Sequence, residues 1–291
     1  MAVGLQGSDL IFEFPGIHPD AVLRIGFHRT LRIPDDDRTY NLPPSLGRFR
    51  PKDVDEIPPD RIPAHWPKRG GVVIPMWQAE AMWLSFAAPE GYPFAVMIAA
   101  GKVNAVTGKP WAEALDHGTQ NFVQIPTQPW LDGFHVRKGV IRQFVAMPLG
   151  RGYTVEEQVT GAAEHGGVQI LVHPLRAEVW ERMKQESAAR LDRFGPAMFC
   201  RRAAPAAASM DMGLGAGGRM KQEIYASDIP AGDWSEAKSR CFVAIANSLS
   251  WVHLTGENPP HPAPTTRRAA CPGSITMRTG RRSKAPTFSI G

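Results

Sequence analysis

The run Phe94-Ala-Val-Met-Ile-Ala-Ala100, stopped by Gly101 and Lys102, decides the fold class. Seven apolar residues without polar alternation fit a strand buried on both faces, and they fall far short of the roughly 20 needed to cross a bilayer as a helix. Val72–Ile74, Phe122–Ile125, Val140–Met147 and Gly167–His173 repeat that character around it. Upstream, Leu10–Phe14, Val22–Phe27 and Thr30–Ile33 are β-like runs divided by Pro15-Gly16 and closed by Pro34, which reads as an opening hairpin or meander. The expectation is an α+β, β-rich fold of mainly antiparallel sheets with one or two packed helices.

Helical patterning is confined to a few places. Thr154 with Glu157 forms a capping box and Gly161 a stop, giving a short helix over Val155–Thr160. Val179, Trp180, Met183, Leu191 and Phe194 give Leu175–Phe194 an amphipathic stripe. Ser248–Thr255, ended by Gly256 and Pro259, follows the strand Arg240–Asn247. Gln78–Phe86 reads either as a short helix or as an irregular strand. From Asn41 to Pro67 seven prolines remove donors and fix φ too often for a helix or central strand, so this stretch is expected to wrap over the surface. Residues 195–218 turn to Ala, Gly and Met and read as a linker or lid.

The chain has 291 residues, 43% hydrophobic and 21% charged, an ordinary globular composition. Residues 1–260 are expected to form one globular domain. They carry 27 basic against 28 acidic residues, so the net charge of +5 belongs to the tail, residues 261–291. That basic tail reads as a disordered nucleic-acid arm, or as an extension without function. A third reading is a shifted frame. Ala270–Gly280 (ACPGSITMRTG) is encodable by codons that, two bases further on, spell Leu-Pro-Trp-Phe-Asp-Tyr-Tyr-Glu-Asp, an aromatic and acidic docking end. The opening residues MAVGLQGSDL lack a cationic and a long apolar region, so the expected compartment is the cytoplasm. Cys200, Cys241 and Cys271 fit neither a disulfide framework nor a zinc site and read as reduced thiols.

Three groups of residues are candidates for function. Gly213, Gly215, Gly217 and Gly218, followed by Arg219 and Lys221, offer amides that curl round a phosphate, or else a turning loop, and the segment has no GK[ST]. Asp132 and His135 offer a carboxylate and an imidazole for acid/base work, although Asp132-Gly133 is also a turn signal. Trp77, Trp83, Trp111 and Trp130 either pack the core or line an aromatic groove. The nine histidines show no HxH, HxxxH or HExxH spacing, so neither metal nor cofactor is expected, and no GxSxG elbow marks a nucleophile.

Five blocks, Ile74–Phe86 (IPMWQAEAMWLSF), Val96–Trp111 (VMIAAGKVNAVTGKPW), Gln128–Gly133 (QPWLDG), Ile141–Gly150 (IRQFVAMPLG) and Met212–Tyr225 (MGLGAGGRMKQEIY), carry a resemblance. The chain resembles, over roughly residues 20–265, a family of uncharacterised bacterial proteins, some labelled integral membrane proteins. The resemblance implies no activity and no catalytic residues, and it implies a continuation as Leu-Pro-Trp-Phe-Asp after the Thr-Thr-Arg segment. The leading expectation is a non-enzymatic binding or assembly protein with a protein or small-molecule partner. The alternative is an enzyme or sensor holding a phosphorylated or anionic ligand through Gly213–Lys221. Nucleic acid enters only through the tail, and the sequence leaves oligomeric state open.

Overall fold

The computed structural model describes residues 2–36, 38–194 and 213–264. The chain opens with strands β1 (Ala2–Gln6), β2 (Asp9–Glu13) and β3 (Val22–Thr30). Thr39–Arg69, which contains the proline-rich stretch, contributes β4 (Thr39–Tyr40), β5 (Ser45–Arg48), β6 (Lys52–Asp53) and the single-turn helix α1 (Trp66–Arg69). The apolar centre supplies β7 (Val72–Met76), β8 (Ala81–Ala87), β9 (Phe94–Ala100), β10 (Val103–Asn104) and β11 (Val123–Ile125). Then come β12 (Trp130–Leu131), β13 (Gly133–Arg137), β14 (Val140–Met147), α2 (Val155–Thr160), β15 (Val168–Pro174) and α3 (Ala177–Phe194). The last elements are β16 (Gly213–Met220), β17 (Ser239–Asn247) and α4 (Ser248–Thr255).

These strands form two sheets. The first runs β1-β2-β3-β8-β14-β16-β4, with β5 on β3, β12 on β8 and β13 on β14; the second runs β10-β9-β15-β17-β7-β6, with β11 on β9. The pairing is antiparallel except for β16 with β4 and β17 with β7. Leu23, Ile25 and Phe27 of β3 and Met82, Leu84 and Phe86 of β8 point into a core that they share with Ile98, Val172 and Ile245 of the second sheet. Every residue of β9 is buried, as its unbroken apolar run requires. The architecture is β-rich and mostly antiparallel, as expected. No helix among the described residues is long and apolar enough to cross a membrane.

The proline-rich stretch is a wrap that joins both sheets. β5 pairs with β3 in the first and β6 with β7 in the second. Its side chains seal the outer faces. Val54, Ile57 and Trp66 pack with Val73, Ala244, Trp251 and Leu254 over the second sheet. Ile33, with Tyr40 and Leu42, covers Ile141 and Met220 on the first. Each such large apolar side chain contributes about 1.5–3 kcal/mol by leaving water.

Local signals specify the helices. Thr154 and Glu157 bond reciprocally at the start of α2 and Gly161 ends it in the left-handed region. Asn247 caps α4 and Gly256 closes it. At residues 78–86 the strand alternative holds from Ala81, because Met82, Leu84 and Phe86 alternate with Trp83 and Ser85. Thr30 belongs to β3 rather than to a separate run. Of the stretch read as a linker or lid, residues 195–212 lie outside the described residues. The remainder is β16, with glycines because a Cβ would meet the Val145 side chain at Gly217 (2.5 Å) and the Pro34 carbonyl at Gly218 (2.2 Å).

Two glycines clasp β17. A Cβ at Gly71 (φ +88°) would lie 2.1 Å from the Phe242 carbonyl oxygen, and one at Gly167 (φ +54°) 2.4 Å from that of Val243. Gly71→Ala is expected to cost about 2–4 kcal/mol, since overpacking takes about 1–3 kcal/mol and the left-handed backbone about 1–2 kcal/mol. Urea unfolding measures it; a variant as stable as the wild type would show that the clasp is not tight.

Candidate functional site

At one end of the two sheets, a cavity of about 520 Å³ opens between the β1–β2 hairpin and the strands β7, β15 and β17. Leu10, Val72, Ile170 and Leu171 of the main core back its floor at 0–3% exposure, and its open apolar surface comes from Val3, Trp111 and Phe242. Trp111 and Phe242 supply aromatic wall, and the rim carries Lys68, Arg69 and Lys102.

Each rim group is held by its local chain. Lys102 sits in the turn between β9 and β10 at φ +62°, with its amide donating to Gln169 Oε1 at 2.8 Å. Its ammonium lies 5.8 Å from the centre of the Trp111 ring. Arg69 ends α1 and donates to the carbonyls of His165 (2.9 Å) and Glu164 (3.0 Å), with its guanidinium 5.1 Å from the centre of the Phe242 ring. The loop carrying those carbonyls is pinned by the buried Glu156 carboxylate, which accepts the amides of Glu164, His165 and Gly166 at 2.9, 2.7 and 2.7 Å. Arg240 pairs with Glu113 at 3.3 Å. Burial pushes the Cys241 thiol up to about 12, so this wall residue stays protonated and acts as a small apolar group.

The glycine-rich segment is a strand and not a turning loop. β16 lies between β14 and β4, its backbone bonded in ladders, and Lys221 donates its amide to Tyr40 at 2.9 Å. An anion nest needs successive amides turned to one side, whereas a strand alternates them. That correction covers Gly213, Gly215, Gly217, Gly218, Arg219 and Lys221 together.

Asp132 and His135 do not meet in one cleft. His135 lines a shallow hollow with Gln120 and Tyr225, and neither Asp132, Arg219 nor Lys221 is part of that lining. Its Nδ1 donates to the Val106 carbonyl at 3.1 Å, and burial lowers its pKa. Asp132 is 1% exposed, and burial raises its carboxyl to about 7 against an opposing hydrogen bond from the Trp130 side chain.

The four tryptophans form no common groove. Trp111 lines the cavity, while the Trp77 indole donates to the His261 carbonyl at 3.1 Å. Trp83 is fully buried and stacks on His28, ring centres 4.1 Å apart and planes within 4°. Trp130 is half-buried opposite Ser85. His28 and Trp83 are cross-strand neighbours on β3 and β8, and Asp132 follows the end of β12, its carbonyl accepting the Phe144 amide at 3.3 Å. His28 Nδ1, Trp83 Nε1 and Asp132 Oδ1 are three of the five buried side-chain atoms without a partner among the described residues.

His28 and Ser85 carry no signal in the sequence beyond their residue types, yet Nε2 and Oγ meet at 2.5 Å over Gly26, where a Cβ would lie 2.7 Å from Oγ. Burial, helped by the charge of Arg48, lowers His28 to about 3. That shift makes His28 a weaker base toward Ser85 than an ordinary imidazole. No group of three or more His, Cys, Asp or Glu suited to a metal ion occurs among the described residues. Scans against protein-family models, curated proteins and solved structures return no match for the chain.

Asp132 makes stability depend on pH. Its folded pKa lies above the unfolded value, so the penalty is absent below about pH 4, grows as pH rises, and is complete above about 7. Asp132→Asn is therefore expected to raise Tm at pH 8 by several degrees and at pH 5 by much less. Equal gains at both pH values in thermal unfolding would contradict a buried carboxyl raised to neutrality.

Proposed function

We propose that this chain is a non-enzymatic binding protein that takes a small molecule with an apolar body into the cavity between the two sheets. The observation that carries the reading is a cavity of about 520 Å³ whose floor is main-core residues. That volume falls within the range of about 300–1,000 Å³ typical of ligand sites, and the lining joins core side chains to a strongly charged rim. Against catalysis stand the chemical states of the candidate groups. Cys241 is held protonated, burial makes His28 a weak base, and the His135 ring is spent on a backbone carbonyl.

The buried, unpaired thiol of Cys241 supports a reducing compartment, and the cytoplasm remains part of the reading. Cys200 and Cys271 lie outside the described residues. So does residue 265 onward, which holds most of the basic tail and the whole of the shifted-frame segment.

Eight-carbon probes test the reading. 1-Octanol or octanoate at about 100 times Kd is expected to stabilise the protein by about 2.7 kcal/mol, seen as a rise in Tm. Val3 lines the cavity and is 38% exposed. Val3→Trp is expected to fill the mouth and abolish that rise while leaving the Tm of the free protein nearly unchanged. No rise with either probe, or an undiminished rise in Val3→Trp, would overturn the reading.

A further inference from the structure

We infer that the ligand of this cavity is an oxyanion, a carboxylate or phosphate on an apolar chain, with its headgroup at Lys68, Arg69 and Lys102 and its chain on the core floor. This rests on the cavity being the binding site.

The charge around the opening is unevenly compensated. Arg240 is taken by Glu113. Of the two remaining carboxylates in the lining, Asp53 accepts the Asp55 amide at 3.1 Å as the cap of a short turn, and Asp55 is exposed to water. Lys68, Arg69 and Lys102 have no carboxylate within 4 Å among the described residues. Three cations thus face two acids, and both acids stand on the β6 side of the opening. Low-dielectric walls strengthen such a field and favour an anion.

Arg69 and Lys102 are also fixed in place. Arg69 gives one hydrogen bond from each terminal nitrogen to a carbonyl of the 164–166 loop, which holds its charge at the mouth and leaves further N–H groups for a ligand. The turn at Lys102 is the second observation. A backbone at φ +62° favours glycine, yet a lysine occupies it, held by Gln169 and laid along Trp111 at the mouth. Residues kept in sparsely populated conformations cluster at binding sites, where the side chain repays the backbone. Removing that side chain relieves the backbone and leaves the core floor intact.

Isothermal titration of the full chain with octanoate, octyl phosphate, 1-octanol and octylammonium tests the assignment. Octanoate or octyl phosphate is expected to bind about tenfold tighter than 1-octanol, a difference of about 1.4 kcal/mol. The tighter of the two anions identifies the headgroup. Lys102→Gly is expected to keep or raise the Tm of the free protein, to weaken the anions about fivefold or more, and to leave 1-octanol unchanged. Lys68→Gln is expected to act in the same direction. Anion affinity is expected to fall with added salt while that of 1-octanol does not.

If 1-octanol or octylammonium binds as tightly as the anions, or if Lys102→Gly leaves them equally tight, the oxyanion assignment is overturned and the apolar cavity stands. If none of the four probes binds, both fall.

Discussion

The close approach of two glycines to one strand sets the opening on which the functional reading depends. Gly71 and Gly167 bring their backbones against the carbonyls of Phe242 and Val243, from opposite sides of β17. The neighbouring groups inherit their positions from that clasp. Val72, next to Gly71, becomes cavity floor. The Gly167 carbonyl receives the Gly101 amide at 3.2 Å and so fixes the turn that presents Lys102. The loop just before Gly167 is tied by Glu156 and in turn holds Arg69. A side chain at either glycine would spread strands that carry both the floor and the rim.

Polar groups are placed in two ways in this molecule. Within the first sheet, Asp132, Trp83 and His28 are enclosed, and desolvation moves the two titratable groups toward their neutral forms. At the mouth, the charged groups stay near water, while their aliphatic stems and stacked planes meet apolar surface. Enclosed groups without partners lower stability, whereas charges at a half-open rim are available to a ligand. This contrast favours recognition at the mouth over chemistry at the enclosed groups.

Elements determined by short-range physics were legible in the sequence. The α2 capping box, the limits of α4 and the doubly buried β9 follow from residues within one turn or one run. β1 was missed because its five residues are mostly exposed on a sheet edge and show no alternation. Gly213–Gly218 was misread because glycine serves both turning chains and strands that are closely approached, and only the side chains of Val145 and Met147 and the backbone of Pro34 distinguish the two. Of the cavity, Trp111 alone was among the candidate functional residues. Lys68 and Arg69, Lys102, Gln169 and Phe242 come from separate segments, and only tertiary packing brings them together. The four tryptophans failed as a groove for the converse reason: residue type signals burial without saying against what.

The most direct test of the account is a methyl NMR titration of the protein with octanoate, reading Leu10, Val72, Ile170 and Leu171 on the floor against Ile33, Ile141 and Met220 beneath the wrap. The account predicts saturable shifts at the first four methyl-bearing residues and none at the other three. Shifts under the wrap with the floor unmoved would place the ligand elsewhere and contradict it.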